Sequence, residues 1–546
     1  MDGRLLINNQ RIVSGRTRLS LNPATLESLG DFYLADGELC GQSIEAAKEA
    51  FPLWRQTSFR EKAELLNRVR DILVREKDRA ASLITAEKGS PLAESFAVEL
   101  LSSLETLDYY IRSKTRLQSH RIPHHVSLFK HKKSKFHFQP LGPTLIISPW
   151  NFPFMIPMVD TLSAITAGNT VVLRPSTTTP LLALFLGEVF VEAGFPPGVV
   201  NVVNCPAAQA EEMILNPDIQ TIMFTGSVPT GKRIMELASR NLTNLTLELG
   251  GKDPMIVCRD ADVDRAARGA AWLAFMNSGQ SCGSVERVYV DERIKEAFTE
   301  KVAALTKQIR VGLPHENGVD MGPMTTEGQL QVVEEHISDA VEKGARLLTG
   351  GDRVSDLPGY FIRPAVLSGC DHTMKIMMEE TFGPTLPIMG FSDVDQAVSL
   401  ANDSPFGLTA SVWTRSKPTA ALLADRIEAG TVTVNDHMYS FSEPKAIWGG
   451  IKQTGIGRNH GPYGQLFQVN IKYVSQDFLR NKGPFWWFPY MPDLKKLFST
   501  AVLSFHHKKL SSRLRALISL FPHLKTIFKS HPPSNFLKSL PRILRR

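Results

Sequence analysis

One cysteine and one glutamate stand in contexts where they could work together on a carbonyl group. Cys282 closes the string Phe275-Met-Asn-Ser-Gly-Gln-Ser-Cys282, and Glu248 lies about 34 residues upstream, directly before two glycines. A thiol is a nucleophile and a carboxylate is a base, so the pair has the minimum equipment for covalent chemistry on a carbonyl carbon. Taken alone, each has a simpler interpretation: the cysteine as a small core residue, and the glutamate as a surface carboxylate at a strand end.

Two further segments offer hydrogen-bond donors for an anion. Asn151 lies in Ser148-Pro-Trp-Asn-Phe-Pro153, where flanking prolines stiffen the turn. A fixed side-chain amide suits an oxyanion hole, although an asparagine there could simply cap the turn. Gly226 and Ser227 follow a β-rich run and precede a helical pattern, so the backbone N–H groups at that helix start could hold a pyrophosphate. The spacing differs from G-x-G-x-x-G and is a weak signal by itself.

Short β-rich runs alternate with helical stretches in the elements that must position these residues. The runs are 144–148, 170–174, 199–203 and 221–224, with a helical stretch at 181–192, and a second alternating region covers 253–435. Upstream, apolar spacing predicts helices around 46–54 and over 60–88, the latter ending at Gly89. The alternation predicts an α/β fold with parallel sheets covered on both faces. Residues 121–139 and 465–474 read as two strands that pair with each other, with edges that favour an oligomer.

Length and composition limit the classes of protein. A chain of 546 residues predicts two or three domains, and 43% hydrophobic with 21% charged residues is typical of a globular protein. Five widely spaced cysteines form no C-x-x-C or Cys/His cluster, so we expect a reducing, cytoplasmic compartment, no disulfide framework and no metal site. The N-terminus has no signal-peptide pattern, and no apolar run is long enough to span a membrane.

The charge is concentrated in the last part of the chain. Residues 484–546 contain twelve Lys/Arg and one acid, Asp493, so the net charge of +7 divides into +11 for this tail and −4 for the rest. An aromatic cluster at 484–490 precedes apolar residues spaced by three or four, with basic residues between them; Pro522 is expected to divide this stretch into two helices. The pattern is typical of a helix lying on a membrane surface. Packing on the protein itself is the alternative, and nucleic-acid binding is not expected because the rest of the chain is acidic.

The combined motifs resemble those of the aldehyde dehydrogenase superfamily, from about residue 20 to 475. The matching segments are Pro149-Trp-Asn-Phe-Pro153, Leu247-Glu-Leu-Gly-Gly-Lys252, Phe275-x-Asn-x-Gly-Gln-x-Cys282, Glu380-Thr-Phe-Gly-Pro384 and Gly449-Gly-Ile-Lys-Gln-Thr-Gly-Ile-Gly-Arg458. The resemblance implies a Rossmann-like cofactor domain at 1–120 and 140–246, to which the chain returns near 446–464, and a catalytic α/β domain at 247–445. It also implies bridging and oligomerisation strands at 121–139 and 465–475, and a homodimer or homotetramer. The tail at 484–546 lies outside the match.

The resemblance also implies roles for individual residues. Cys282 would attack an aldehyde, Asn151 and the Cys282 backbone N–H would hold the oxyanion, and Glu248 would activate the water that hydrolyses the thioester. NAD or NADP would accept the hydride. The residues implied to hold the cofactor are Ile147, Trp150, Arg174, Ser176, Thr177, Gly226, Ser227, Glu380 and Phe382.

Two positions depart from the family pattern around the cofactor. Where the family usually has Lys-Pro-Ser-Glu at the strand end that meets the adenosine ribose, this chain has Arg174-Pro-Ser-Thr177. Loss of the glutamate removes a repulsion of a 2′-phosphate, and arginine matches phosphate, so we hypothesise that NADP is used or tolerated. Val228-Pro-Thr230 also replaces the usual Thr-x-Val in the phosphate turn.

The substrate and two rival functions stay open at this level. Apolar residues near the expected mouth, together with the tail, favour a long-chain or isoprenoid-like aldehyde; they are Phe152, Met155, Ile156, Val159, Phe275 and Met276. One rival is an enzyme that passes the thioester to coenzyme A or acts as an acyl reductase, which Glu248 disfavours. The other is a non-catalytic protein on this fold, which the intact Cys282 and Asn151 disfavour.

Overall fold

The computed structural model describes residues 2–112, 117–125, 129, 132–477 and 486–530, except the side chains of Pro462 and of residues 524–530. Two compact units divide the chain: Met1–Arg116 with Gln139–Asn470, and Leu117–Phe138 with Ile471–Arg546. Within the described residues, no helix combines the length and apolar character needed to cross a bilayer.

The strands are β1 (Leu5–Ile7), β2 (Gln10–Ile12), β3 (Thr17–Leu21), β4 (Ser28–Tyr33), β5 (His120–Ile122), β6 (Lys132–Pro140), β7 (Pro143–Ile147), β8 (Thr170–Arg174), β9 (Val200–Val202), β10 (Thr221–Thr225), β11 (Asn244–Glu248), β12 (Asp253–Val257), β13 (Val285–Asp291), β14 (Arg346–Thr349), β15 (Ala365–Ser368), β16 (Thr385–Phe391), β17 (Thr409–Trp413), β18 (Thr431–Val434), β19 (Gly455–Ile456) and β20 (Val469–Asp477). The chain therefore changes from helix-rich to alternating at β7, where the sequence pattern also changes.

The α-helices are α1 (Gly37–Trp54), α2 (Phe59–Arg75), α3 (Lys77–Lys88), α4 (Leu92–Glu94), α5 (Ser102–Arg112), α6 (Met155–Ala167), α7 (Pro180–Glu192), α8 (Ala207–Ile214), α9 (Val228–Ala238), α10 (Val263–Phe275), α11 (Lys295–Thr306), α12 (Glu327–Glu342), α13 (Lys375–Met378), α14 (Val394–Asn402), α15 (Lys417–Arg426), α16 (Gly461–Gly464), α17 (Leu494–His506) and α18 (Leu510–Ser530). A π-helix at Ser95–Leu101 joins α4 to α5, and 3₁₀ turns occupy Met276–Gly279, Tyr439–Phe441, Lys452–Thr454 and Gln465–Gln468.

The first large sheet, counted over the described residues, has eight strands in the order β19-β11-β10-β7-β8-β9-β1-β2. The five central strands, from β11 to β9, are parallel, and the three outer strands are antiparallel to their neighbours. Strands β7 and β9 are buried along their whole length, as expected for a sheet covered on both faces by helices. The carboxyl ends of β7, β8, β10 and β11 consequently meet at one edge.

The second large sheet, again over the described residues, has seven strands in the order β14-β15-β16-β13-β12-β17-β18. All neighbouring pairs are parallel except β14 with β15. Its core is formed by β12 and β13 with helices α10 and α11 on one face, including Val257, Ala267, Val288 and Phe298. Strand β12 begins only five residues after β11 ends, so the chain passes from one sheet to the other through Leu249–Lys252.

The second unit contains a small sheet and a pair of helices. Strand β6 lies between β20 and β5, so the pairing predicted for residues 121–139 and 465–474 is present, although 465–468 forms a 3₁₀ turn rather than strand. Helices α17 and α18 follow, joined by His507–Lys509.

Most predicted elements are confirmed, with two differences in the helices. The pattern over 60–88 is two helices, α2 and α3, which meet at Glu76; α3 ends at Gly89, whose φ of 95° makes it the expected stop. The prediction that Pro522 divides the tail helix is wrong, because α18 runs from Leu510 to Ser530 with the proline inside it. The division falls at residues 507–509 instead.

Candidate active site

The predicted cofactor and catalytic residues of the first sheet lie in one row because the registers of four strands coincide. Ile147 at the end of β7 is paired with Phe224 of β10 on one side and with Arg174 of β8 on the other. Thr225 of β10 is paired with Glu248 of β11. The segments that leave these strands carry the other predicted residues, at 150–151, 176–177 and 226–227. The parallel strands thus bring residues as distant in sequence as Ile147 and Glu248 to the same edge, where ligands bind in open α/β sheets.

Cys282 is presented by a turn of unusual backbone conformation. After α10 ends, Asn277, Ser278 and Gly279 have φ values of 55°, 55° and 72°, three consecutive residues in the left-handed region. Such conformations cost energy for residues with a side chain and persist only where neighbouring groups fix them. The turn brings the chain back so that Cys282, which is partly exposed, stands just before β13.

Hydrogen bonds from three segments fix this turn. The Asn277 side-chain amide donates to the carbonyl oxygens of Asn151 and Gln280, both at 3.0 Å, and the Asn277 backbone N–H donates to the Glu94 carboxylate at 3.0 Å. The Gln280 side chain accepts from the Thr325 backbone N–H at 2.9 Å. Asn277 and Gln280 therefore hold the turn that carries Cys282 in place, a role that the sequence analysis did not assign to them.

Asn151 is 3% exposed and lies against the same turn. Its side-chain amide donates one hydrogen bond to the Gln280 carbonyl oxygen at 3.0 Å. Because an amide NH₂ has two hydrogens, a second donor remains for a ligand. The structure thus brings Asn151 and the Cys282 turn together, as the sequence predicts.

Glu248 is buried at the end of β11 and neither of its carboxylate oxygens has a hydrogen-bond partner within the described structure. Burial raises the pKa of Glu248 well above its ordinary value, the charge of Asp160 raises it further, and Arg458 lowers it. A Cβ atom added at Gly449 would lie 3.0 Å from a Glu248 oxygen and 2.9 Å from Arg458 Cδ, so this glycine separates the two side chains. An unpartnered buried carboxyl group is costly in a folded protein, and such groups cluster at functional sites.

The two glycines after Glu248 leave room for groups from the second sheet. A Cβ atom at Gly250 would lie 2.3 Å from a Glu380 carboxylate oxygen, and one at Gly251 would lie 2.4 Å from the Cys282 carbonyl oxygen. The Gly251 backbone N–H donates to Glu380 at 2.9 Å. A side chain at Gly251 would therefore push against the Cys282 backbone, and one at Gly250 would displace the Glu380 carboxylate.

The segment that carries Glu380 and Phe382 is held by a buried ion pair. Lys252 Nζ lies 2.6 Å from Glu286 Oε2, and the same carboxylate accepts the backbone N–H groups of Thr381 and Phe382 at 2.8 and 2.9 Å. Phe382 has a φ of 52° and its ring meets that of Trp150 edge to face, with centroids 5.5 Å apart. The structure therefore brings Glu380, Phe382 and Trp150 together; Glu286, which organises them, is outside the sequence prediction.

Helix α9 begins at the same edge with backbone donors available for an anion. Ser227 is its N-cap but makes no side-chain capping bond to the helix backbone; its hydroxyl lies 2.9 Å from that of Thr230. The Gly226 N–H donates to the Glu248 carbonyl oxygen at 3.0 Å, which ties this turn to β11. An uncapped helix start fits the pyrophosphate of a dinucleotide.

Arg174 lies at the predicted edge, but part of its guanidinium is occupied. Its Nε and Nη2 donate to the Cys205 carbonyl oxygen at 3.2 and 2.7 Å, which leaves Nη1 for a ligand. Ser176 Oγ accepts the backbone N–H of Thr178 at 3.2 Å, and Thr177 is half-buried in the same turn.

The Cys282 thiol borders a small cavity of about 20 Å³, room for roughly one water molecule. The lining residues are Val98, Phe152, Met155, Ile156, Ser281, Cys282, Met438, Phe441, Ser442 and Trp448. None of these described lining residues carries a charge. Phe152, Met155 and Ile156 were predicted here, and Val159 and Met276 belong to the same apolar cluster. The prediction for Phe275 is wrong, because it ends α10 and its side chain packs in the core of the second sheet.

The environment of the thiol disfavours its ionised form. Burial raises the pKa of Cys282 above its ordinary value, and the charges of Glu380, Asp253 and Glu248 raise it further. Burial also raises the pKa of Glu380 to about 8, with Glu286 adding to the effect. The cysteine therefore needs a base to take its proton when it acts as a nucleophile.

The similarity of this sequence to known proteins is consistent with the arrangement of this site. The profile of the aldehyde dehydrogenase family matches residues 13–474. The chain belongs to this family. It is 38% identical over 462 residues to 3-sulfolactaldehyde dehydrogenase of Pseudomonas putida, with 84% of this chain and 94% of that protein covered.

Solved structures extend the similarity to the whole fold of this aldehyde dehydrogenase. An NADP-dependent enzyme of E. coli is 34% identical, with a TM-score of 0.84 over 87% of this chain and 98% of that one. The NAD⁺ complex of an aldehyde dehydrogenase from Bacillus cereus is 31% identical, with a TM-score of 0.84 over 87% and 97% of the two chains. The protein is an oxidoreductase of aldehydes that uses NAD or NADP, and its mixed α/β fold with two large sheets is the fold of the family.

Several wall residues of the aldehyde dehydrogenase site were not found from the sequence. Met438, Phe441, Ser442 and Trp448 come from an irregular segment between β18 and β19, where no periodic pattern points to a site. Ser442 is tied to the first half of the chain by a hydrogen bond from Ser102 Oγ to its Oγ at 2.9 Å. The nearest sequence signal was the aromatic content of 439–448.

We predict that Gly279→Ala disables the enzyme. A Cβ atom at this position would lie 2.2 Å from the Gly383 carbonyl oxygen, so the turn that carries Cys282 and the segment after Phe382 would have to separate. A displacement of about 1 Å at reacting groups costs on the order of 100-fold in rate. Measurement of kcat and of the urea unfolding midpoint checks this.

The matched control is Gly344→Ala. Gly344 also has a left-handed φ, 102°, but nothing lies within 4 Å of an added Cβ atom. It should lose only about 1–2 kcal/mol of stability, the cost of the backbone conformation, with kcat unchanged. Equal kcat values for the two variants would show that contact with Gly383 does not hold the site.

Proposed function

We propose that this protein oxidises an apolar aldehyde to the carboxylic acid with NAD or NADP, through a thioester on Cys282. The observation that carries the proposal is the placement of the Cys282 thiol in an apolar cavity, on a turn hydrogen-bonded to Asn151 and next to the glycines that follow Glu248. A nucleophile, an oxyanion donor and a base therefore converge from three segments.

The first step is attack of Cys282 Sγ on the aldehyde carbon. A C–S bond forms while the carbonyl π bond breaks, and the oxygen becomes an oxyanion that the second Asn151 N–H and the Cys282 backbone N–H stabilise. A bound nicotinamide cofactor would supply the hydride acceptor. Loss of hydride from this carbon would re-form the C=O bond and leave the acyl group on Cys282 as a thioester. Glu248, whose raised pKa makes it a stronger base than an exposed carboxylate, takes the thiol proton.

Hydrolysis of the thioester needs a base at the same place. Once the proton taken from the thiol has passed to solvent, Glu248 removes a proton from water and the oxygen attacks the acyl carbon. The C–S bond then breaks, and the leaving sulfur takes that proton from Glu248 to give the acid and the Cys282 thiol. The lack of hydrogen-bond partners at both Glu248 oxygens supports this role, because nothing in the described structure competes with water for the carboxylate.

The cofactor would lie along the carboxyl edge of the first sheet. Gly226 and Ser227 would hold the pyrophosphate at the start of α9, and Glu380 would bind the nicotinamide ribose. The ring would lie near Phe382, Trp150 and Ile147. Arg174, Ser176 and Thr177 would meet the adenosine ribose, where Arg174 Nη1 and the absence of a glutamate favour tolerance of a 2′-phosphate.

The uncharged cavity supports an apolar substrate. Names such as 3-sulfolactaldehyde dehydrogenase and succinate-semialdehyde dehydrogenase among the similar proteins denote substrates with an anionic group. A buried anion needs a cation or several donors, and the cavity lining of the described structure supplies neither an arginine nor a lysine. A long-chain or isoprenoid-like aldehyde fits these walls better, once side chains such as Met438 move to enlarge the cavity.

The finer organisation is also proposed. We infer the domains as predicted, with a cofactor domain at 1–120, 140–246 and 446–464, a catalytic domain at 247–445, and bridging strands at 121–139 and 465–475 that join subunits of a homodimer or homotetramer. An intracellular, reducing location is supported by five cysteines without a disulfide. An apolar substrate would reside in a bilayer, so contact of the tail at 484–546 with a membrane surface suits this function.

Variants of the two reactive residues test the reaction sequence. We expect Cys282→Ala to form no reduced cofactor, and Glu248→Gln to lose steady-state turnover by about 100-fold or more because water is no longer activated. Because Glu248 also takes the thiol proton, acylation should slow as well, and mass spectrometry of the intact protein measures how much acyl-enzyme forms. Carboxylic acid formed only when coenzyme A is added, or undiminished turnover in Cys282→Ala, would contradict the proposal.

A panel of aldehydes tests the substrate and cofactor assignments together. We expect kcat/KM to rise along a series of straight-chain alkanals and to be at least about tenfold higher for octanal than for succinate semialdehyde. With the best substrate, NADP should support turnover, and Thr177→Glu should reduce kcat/KM for NADP more than for NAD because the new carboxylate repels a 2′-phosphate. A higher kcat/KM for succinate semialdehyde would overturn the assignment of an apolar substrate. An equal loss of kcat/KM with NAD and with NADP in Thr177→Glu would overturn the assignment of the 2′-phosphate site.

The acid limb of the pH profile tests the electrostatics around Glu248. Asp160 is buried, its own pKa is raised to about 7 by burial, and its charge raises the pKa of Glu248. Asp160→Asn removes that charge and can still accept the hydrogen bond from Asn459, so the pKa of Glu248 should fall. Since the base works when ionised, thioester hydrolysis should then persist to lower pH than in the unsubstituted enzyme. Rapid-quench measurement across pH checks this; an unmoved acid limb in a normally folded variant would refute it.

A further inference from the structure

Helices α17 and α18 form a hairpin that has its own small core. Leu494 and Leu497 are buried, with Met491, Phe498 and Leu520 packed around them. Arg513 of α18 donates to the carbonyl oxygens of Ser504 and Phe505, at 3.1 and 2.9 Å, in the last turn of α17. These contacts fix the two helices against each other and define which faces remain outside.

One face of α18 is apolar and exposed along its described length. Leu510, Leu514, Ile518 and Phe521 are 68%, 54%, 72% and 67% exposed. Their spacing of four, four and three residues places them within one stripe at 100° per residue. Leu517 lies in the same angular range but is only half-exposed, so Ile518 rather than Leu517 completes the exposed stripe.

More exposed apolar and aromatic side chains lie at the other end of the hairpin sequence. Trp487, Phe488 and Tyr490 precede α17 and are 60%, 81% and 63% exposed. Beside them is an open groove of about 600 Å³ whose lining includes Phe129, Tyr490, Met491, Leu494, Lys495 and Phe498. Aromatic residues with a polar edge are typical of the boundary between water and the hydrocarbon of a membrane.

The charged residues of the hairpin are almost all cations. Lys495, Lys496, Lys508, Lys509 and Arg515 are exposed, and Asp493 is the one acid between residues 486 and 530. A second copy of this surface would meet it with like charge, which opposes self-association. An anionic lipid surface supplies both the opposite charge and a place for the apolar stripe.

We propose that the α17–α18 hairpin docks on an anionic lipid bilayer with the Leu510–Phe521 stripe inserted at the headgroup boundary. The hairpin lies along the surface, because the described helices include none that could span it. The groove beside Lys495 receives an acyl chain whose anionic headgroup meets the lysine. The proposal extends the membrane contact proposed above, but it does not depend on turnover.

Cosedimentation of the full-length enzyme with vesicles tests the docking. We expect binding to vesicles that contain phosphatidylserine, little binding to phosphatidylcholine alone, and loss of binding at high salt because screening weakens charge attraction. The double variant Leu514→Asp/Ile518→Asp should bind anionic vesicles at least about tenfold more weakly, while circular dichroism and turnover of a short, water-soluble aldehyde stay unchanged. Lys508→Gln/Lys509→Gln should weaken binding and reduce its dependence on salt.

The matched control is Leu242→Asp, which changes a leucine that is 90% exposed outside the hairpin and should bind as the unsubstituted protein does. Cys282→Ala should also bind normally, so a failure of docking is distinguishable from a failure of the proposed reaction. Equal binding to neutral and anionic vesicles, or normal binding of the double stripe variant, would overturn the proposal. A change of oligomeric state in that variant without loss of vesicle binding would also overturn it, because the stripe would then be a subunit contact. Capture of an acidic protein in place of vesicles would overturn it as well.

Discussion

The Lys252–Glu286 ion pair connects the three segments on which the site depends. Lys252 ends the run that begins at Glu248, Glu286 lies four residues after Cys282, and the Glu286 carboxylate also accepts two backbone N–H groups next to Glu380. Both side chains are almost completely buried, and burial lowers the pKa of Lys252 while Glu286 opposes the change. Removing one partner of a buried pair typically costs about 3–5 kcal/mol, because the other charge is left without compensation. The pair is therefore best understood as the element that fixes relative positions rather than as a gain in stability.

Carboxyl groups are unusually dense around the thiol, and this density has a chemical effect. Glu248, Asp253 and Asp160 are buried and Glu380 is half-buried, and desolvation raises the pKa of each. Burial, together with the charges of Glu380, Asp253 and Glu248, raises the pKa of Cys282 and favours its protonated form. A protonated thiol is less prone to oxidation than a thiolate, but it needs a base before it can attack.

The sequence predicted the first sheet well because its strands are short, apolar and β-branched. The runs 144–148, 170–174 and 221–224 could be recognised locally, Gly226 stood out because a helix start follows it, and Asn151 because prolines flank its turn. Cys282 had a local signal too, whereas Glu380 and Phe382 depended on the family resemblance. Glu286 had no local signal, because its partner Lys252 lies 34 residues away and the pairing of β12 with β13 sets their distance.

In the tail, the sequence predicted the type of element but not where it ends. Basic and apolar spacing predicted an amphipathic helix, but the position of the turn between α17 and α18 depended on tertiary contacts. Arg513 reaches back to the last carbonyl groups of α17, and this closes the hairpin at residues 507–509 although Pro522 is the stronger local breaker.

The walls of the Cys282 cavity come from different parts of the chain than its reactive groups. Val98 lies in the π-helix, Phe152 precedes α6, Met155 and Ile156 begin it, and Met438 to Trp448 belong to an irregular segment. The segments that carry Cys282 and Glu248 are instead fixed by strands and by a buried ion pair. Changes in the walls can therefore alter the shape of the cavity without displacing Cys282 or Glu248. Directed evolution toward new aldehydes should begin with Met438 and Phe441, whose replacement alters volume next to sulfur and leaves every glycine of the carboxyl edge in place.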